Sequence, residues 1–236
     1  MGEKRKKLCR ILSAFMLCIS LAACARLFWV PYTERAPADQ RQIYLDAGHG
    51  GFDLGAVGKT ADGTRVVEKE LSLAVVTASA AHLSPQGCAV TLSRTGDERL
   101  TYTTAADEVR ARRASAKAQG VDLLLSVHAN AYAGEGRAYG PRVYYNPASE
   151  PSRAVAAYLS AAITRHTAAA CGRECRTVPD GTYYMLGDPT LPAVLIELGF
   201  LSDEAECTLL ADGDYQQALA TAIAEGVTAA RDAQAF

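Results

Sequence analysis

Short apolar runs alternate with longer stretches of helical periodicity along most of this chain. The runs at 43–46, 88–93 and 121–128 have the length and β-rich composition of strands. Between them, 69–83 and 103–119 carry apolar residues at helical spacing. Gly87 and Gly120 each close a helical pattern just before a strand, where a residue able to take positive φ ends a helix well. The second half predicts a strand at 142–145, an Ala- and Leu-rich helix at 152–170, a short strand at 183–186, a buried strand at 194–198 and a last helix at 215–230. This rhythm belongs to βαβ units, so the expected fold class is α/β: a single domain with a mostly parallel twisted sheet and helices on both faces. There are no internal repeats, and low complexity is confined to the alanine-rich helices.

The N-terminus has a different pattern. Lys4, Arg5, Lys6, Lys7 and Arg10 precede an apolar run at 11–25, which is the order of an export signal. Arg26 breaks that run before the roughly 20 apolar residues of a comfortable membrane span, and 27–30 extend it only imperfectly. Cleavage and anchoring both stay open. Leu21-Ala22-Ala23-Cys24 resembles a bacterial lipoprotein box, whose cysteine carries lipid; the alternative is one more small apolar residue beside Cys9 and Cys18. The expected organisation is a signal peptide, lipoprotein leader or membrane anchor at 1–24, a tether at 25–41 and a folded domain at 42–236. At 236 residues and 49% hydrophobic composition, one full core is within reach and a second is not.

Charge narrows the partners. The 24 Lys+Arg nearly balance 26 Asp+Glu, a formal net charge of -2, which excludes a broad positive field for nucleic acid. Outside the leader remain Cys88, Cys171, Cys175 and Cys207, too few for a disulfide framework. Cys171 and Cys175, four apart near a helix end, could approach each other, but two half-buried thiols are the expectation. No second pair supports a structural zinc site.

Candidate chemistry falls at strand ends, where open α/β sheets build ligand sites. In Asp46-Ala47-Gly48-His49-Gly50-Gly51 a strand runs into a glycine-rich loop around a histidine. Neither a dinucleotide nor a Walker-type phosphate pattern fits, so the loop reads as one that presents His49 to a metal. His128 ends the run at 121–128 and would emerge at the same sheet edge; a core histidine is its competing role. His82 and His166 lie in helical patterns and are expected to face solvent or neighbours. Two imidazoles, one carboxylate and a water make a catalytic zinc site. Glu68 and Glu70 both open the following helix, where either could simply complement the helix dipole, and residue pattern alone leaves them equal. Glu197 lies in the apolar segment Val194-Leu195-Ile196-Glu197-Leu198, where a carboxylate is costly unless paired, protonated or near a metal. It is a candidate to move the proton of an attacking water; an ion pair with Arg94 or Arg112 is the alternative.

Together these segments resemble the zinc-dependent N-acetylmuramoyl-L-alanine amidases of bacterial cell walls. The resemblance runs from Ile43 into the last helix and rests on four ordered motifs: Asp46 to Gly51, Glu68-Lys69, Ser126 to Asn130 and Glu197 to Phe200. It implies one Zn2+ held by His49, Glu68 and His128, with Glu197 catalytic, and thereby favours Glu68 over Glu70. Asp46 is assigned outside the ligand set, orienting a ligand or the loop. The family's Arg-x-x-x-Ala-Asn stands here as 112–117 with Lys117 for asparagine, and its Ser-Asn as Ser202-Asp203. The stretch 132–180 is too short for the autoinhibitory insertion of some division amidases, so an open groove is expected.

The implied activity is hydrolysis of the amide between N-acetylmuramic acid and L-alanine in peptidoglycan. The expected setting is a monomer exported to the extracytoplasmic face of the membrane or the wall, in sporulation or general wall turnover. Two other readings compete: a wall-binding protein that does not cut, disfavoured by the intact quartet, and a zinc peptidase acting on stem peptides.

Overall fold

A computed structural model describes residues 40–98, 104–133 and 138–236. The expected leader, Cys24 and all but the end of the tether lie outside these residues. In chain order the elements are β1 (Arg41–Ala47), β2 (Val57–Lys59), β3 (Arg65–Val67), α1 (Glu68–Leu83), β4 (Cys88–Leu92), α2 (Ala105–Ala118) and β5 (Leu123–Asn130). Then follow β6 (Arg142–Tyr145), α3 (Glu150–Cys171), β7 (Arg176–Pro179), β8 (Ala193–Phe200), α4 (Glu204–Ala211) and α5 (Gly213–Asp232). Six strands form one sheet in the order β4-β1-β5-β8-β6-β7, and β2 and β3 form a separate hairpin. All neighbours in the large sheet are parallel except β6, which runs against β8.

The period of two along each strand sorts side chains between two faces. Ile43, Leu45, Val127 and Ile196 pack with Val75 and Val76 of α1, Leu159 and Ile163 of α3, and Ile223 and Val227 of α5. The other parity, Tyr44, Leu124, Leu195 and Tyr144, packs with Ala116 of α2 and with Met185 and Leu186. Because β1, β5 and β8 are covered on both sides, they read as nearly continuous apolar runs. Three long helices cover the first face; α2 and a single turn cover part of the second.

Capping residues place the helix ends. Thr104 accepts from Asp107 N at the start of α2, Ser149 from Ser152 N at the start of α3, and Asp203 from Ala205 N and Glu206 N at α4. Asp203, where the resembling family has asparagine, therefore keeps a cap. Lys117, the other departure, pairs with Asp188 at 2.5 Å.

The structure corrects the expectation at 183–186, where the chain forms a 3-10 turn (Tyr184–Leu186) instead of a strand. Arg113 of α2 donates to the Tyr184 carbonyl and the Arg110 guanidinium lies 4.4 Å from the Tyr184 ring centroid, so the turn is fastened side-on to α2. Met185 and Leu186 are buried there without needing a strand ladder. Four elements lie outside the expectation from sequence: strands β2 and β3 of the hairpin, β7 and α4. Cys171 and Cys175 are free thiols, and burial pushes the Cys175 thiol up to about 12.

Candidate metal and catalytic site

The adjacent strands β1, β5 and β8 deliver the candidate residues to one edge of the sheet. β1 ends at Ala47, and His49 follows with φ 62°, a left-handed conformation uncommon outside glycine. A Cβ on Gly48 would lie 2.3 Å from Cε1 of His128, so only glycine lets the loop pass that ring. Gly55 serves the other flank: at φ 66°, a Cβ there would lie 2.5 Å from Oε2 of Glu68. The β2–β3 hairpin then turns the chain into α1, with Val67 paired to Val57.

That entry fixes Glu68. Its Oε2 accepts from Ala56 N at 2.7 Å and its Oε1 from Ala129 N at 3.0 Å. Oε1 also lies 3.0 Å from Nε2 of His49 and 2.9 Å from Nδ1 of His128. The two histidine nitrogens are 3.2 Å apart. Glu70, two residues further along the helix, is exposed, so the geometry separates two glutamates that residue pattern left equal. Among the described residues, His49, Glu68 and His128 form the one group of three side chains placed to hold a metal ion. His82 and His166 lie elsewhere, the latter 2.8 Å from Glu225.

A surrounding layer orients this cluster. Asp53 Oδ2 lies 2.9 Å from Nδ1 of His49, which leaves Nε2 facing the cluster, and its Oδ1 accepts from Gly55 N. Asp46 accepts from Ser126 Oγ at 2.6 Å and from Arg112 at 3.2 Å. Arg112 in turn donates to the carbonyls of Ala47 and His49, so Asp46 bears on the loop through that guanidinium. Lys69 ties Gly51 O to Asp97, which accepts from Gly51 N.

Residues 43–229 match the N-acetylmuramoyl-L-alanine amidase family. The chain belongs to that family. Accordingly it is an enzyme of the amidase class. It is 32% identical to the uncharacterized protein YqiI of Bacillus subtilis, over 90% of this chain and 96% of that protein. It is 31% identical to the germination-specific N-acetylmuramoyl-L-alanine amidase of the same organism, over 84% of this chain and 82% of that protein. Among solved structures it is similar to the CwlD amidase of Clostridioides difficile in complex with the GerS lipoprotein. That match has a TM-score of 0.71 and 30% identity, and covers 82% of this chain and all of the other.

Within this amidase fold, Glu197 stands in register with His128 across β5 and β8. It is 8% exposed, and among the described residues its Oε2 has no hydrogen-bond partner. Burial pushes its pKa up to about 7, against the opposing field of His128. Arg94 and Arg112 are committed to backbone carbonyls and to Asp46 and Glu108, so the alternative ion pair with Glu197 does not form. Burial disfavours charge on His49, but Glu68 and then Asp53 outweigh it and hold the imidazole at about 9. Burial raises the Glu68 carboxyl, but hydrogen bonds and charge from His128 and then His49 outweigh it and keep it well below its ordinary range. A cavity of about 430 Å³ opens over the four residues, lined also by Asn130, Tyr183 and Met185. Two participants escaped the sequence reading. Asp53 carried a usable signal, an acid four residues after a loop histidine; Tyr183 carried none, because its run reads as a strand.

Proposed function

We propose that this amidase hydrolyses the amide between N-acetylmuramic acid and the L-alanine that begins the peptidoglycan stem peptide, with zinc held by His49, Glu68 and His128. The carrying observation is a buried, unpartnered Glu197 carboxylate beside a histidine–carboxylate–histidine cluster that faces a cavity. The donor set fits zinc. Ligand atoms about 2.0–2.2 Å from a tetrahedral ion stand roughly 3.3–3.5 Å apart, near the 3.2 Å between the histidine nitrogens. The 2.9 and 3.0 Å separations to Glu68 are shorter by a few tenths of an ångström.

Bound zinc supplies Lewis-acid polarisation of a carbonyl and makes water more acidic. Glu197, poised near neutrality, accepts the proton of the attacking water and delivers it to the departing amine nitrogen. Asp53 keeps the His49 ring in one tautomer and orientation. The basic and apolar N-terminal pattern supports export to the extracytoplasmic face. The likeness to a germination-specific amidase favours a role in the spore wall over general turnover.

The test is muropeptide analysis of purified wall treated with the protein as purified, after chelation, after zinc is restored, and as Glu197→Gln. Expected is zinc-restored release of stem peptides with a free L-alanine amino end, lowered by about 10²–10⁴-fold in the variant. Cleavage within the stem peptide would make the enzyme a peptidase, and no cleavage with zinc bound would sink the hydrolytic reading.

A further inference from the structure

The row of residues that joins the metal cluster to Glu197 does not stop there. His128 on β5 is in register with Glu197 on β8, Glu197 with Arg142 on β6, and Arg142 with Arg176 on β7. All four share one parity with Tyr144 and Leu195, so they lie on the face that α2 covers only in part. Two arginines directly opposite each other across strands repel, at a cost a stable sheet would ordinarily avoid. Among the described residues neither guanidinium is in an ion pair.

Arg142 makes no ion pair with a described residue, although its charge bears on the neighbouring Glu197 carboxyl. Its guanidinium lies 4.8 Å from the Phe200 ring centroid and donates to Tyr144 Oη at 3.4 Å. Tyr144 packs on Tyr183, ring centroids 5.1 Å apart, and Tyr183 forms part of the cavity wall. Arg176, at the exposed sheet edge, continues the row outward. Strand spacing places Arg142 about 5 Å and Arg176 about 10 Å from Glu197 along the backbone. An extended peptide covers that distance in one to three residues, at about 3.3 Å each. Arginine forks match carboxylates in pairs.

We propose that Arg142 and Arg176 form a subsite for carboxylates of the stem peptide on the amine side of the scissile bond. This rests on the amidase reading and adds a specificity to it: the enzyme distinguishes free carboxylates from carboxamides near the cleaved bond. The sugar side of the substrate offers no anion for this row, and the stem peptide does.

The test compares a muramyl-tripeptide bearing free carboxylates with its counterpart in which they are carboxamides, using the zinc-loaded protein. Expected is a kcat/KM preference for the carboxylate form of about ten-fold or more, expressed mainly in KM. The ratio shrinks in Arg142→Gln and in Arg176→Gln and approaches one in the double variant. Arg176→Gln, at an exposed position, also leaves the melting temperature equal or higher, since it relieves like-charge repulsion. Equal turnover of both substrates by the unaltered enzyme overturns the subsite and leaves the amidase reading standing, as does a preference that neither variant moves. Effects confined to intact wall bearing anionic polymers overturn it in favour of polymer docking. Cleavage of neither substrate sinks the amidase reading itself.

Discussion

The two faces of the sheet are built for different ends. On one, α1, α3 and α5 close over Leu45, Val127 and Ile196, and buried hydroxyls such as Ser79 and Thr167 are satisfied within their own helices. On the other, Tyr44, Leu124 and Leu195 begin a core that gives way, at the strand ends, to Asp46, Ser126, His128 and Glu197. The same strands carry both sets on alternate residues. A one-residue slip of β5 or β8 would therefore exchange core for site, so the apolar face fixes the register that aligns His128 with Glu197. The first face gains stability from burial, while the second holds a carboxyl that burial destabilises.

The sharpest way to break this comparison is to cut each face in turn. Leu159 is fully buried between α3 and α5, where Gly226 approaches its Cα closely. Leu159→Ala is expected to lower unfolding free energy by about 2–5 kcal/mol, with turnover per folded molecule retained well below the melting temperature. Comparable loss of turnover in still-folded protein would show that the faces are not separable.

Glu197→Gln should act in the opposite direction on stability. Its pKa rises from the ordinary 4.5 to about 7 in the folded protein, so the native state binds the proton more tightly. Stability linked to this group is present below pH 4.5 and is lost as pH rises to 7. At pH 8 the metal-free variant is expected to be more stable than the metal-free parent by on the order of 2–3 kcal/mol, with the gap closing toward pH 4.5. Denaturant titrations at the two pH values measure this, and a pH-independent difference would contradict it.

A smaller effect sharpens the contrast within the polar face. Asp53→Asn should weaken zinc binding about 10–100-fold, read by competition with a chromophoric chelator. Unchanged affinity would reduce Asp53 to a tie for Gly55 N.

Much of this was legible because burial on both faces writes strands as apolar runs, as at 121–128, and because amphipathic helices repeat over many residues. Strand direction has no such signature: nothing local in Arg142 to Tyr145 says that β6 runs against β8. Three-residue strands such as Val57–Lys59 fall below any periodicity, and β7 ends in a proline that argues against a strand. The sequence singled out His49, His128 and Glu197 because each residue type was unusual for its setting. Glu68 needed either a family resemblance or a fold, since what separates it from Glu70 is burial and its contacts with His49 and His128.

The reversed β6 has a consequence for how this enzyme can be altered. β5 ends and β6 begins at the same rim of the sheet, so the connection at 131–141 never has to travel the length of a strand. With Tyr132 N kept on Ser202 and Gly140 N on Glu206, added length costs loop entropy of roughly 0.6 kcal/mol for each doubling. An engineer seeking to graft a wall-recognition loop beside the scissile bond has there an attachment point that leaves every helix crossover, and the register they enforce, untouched.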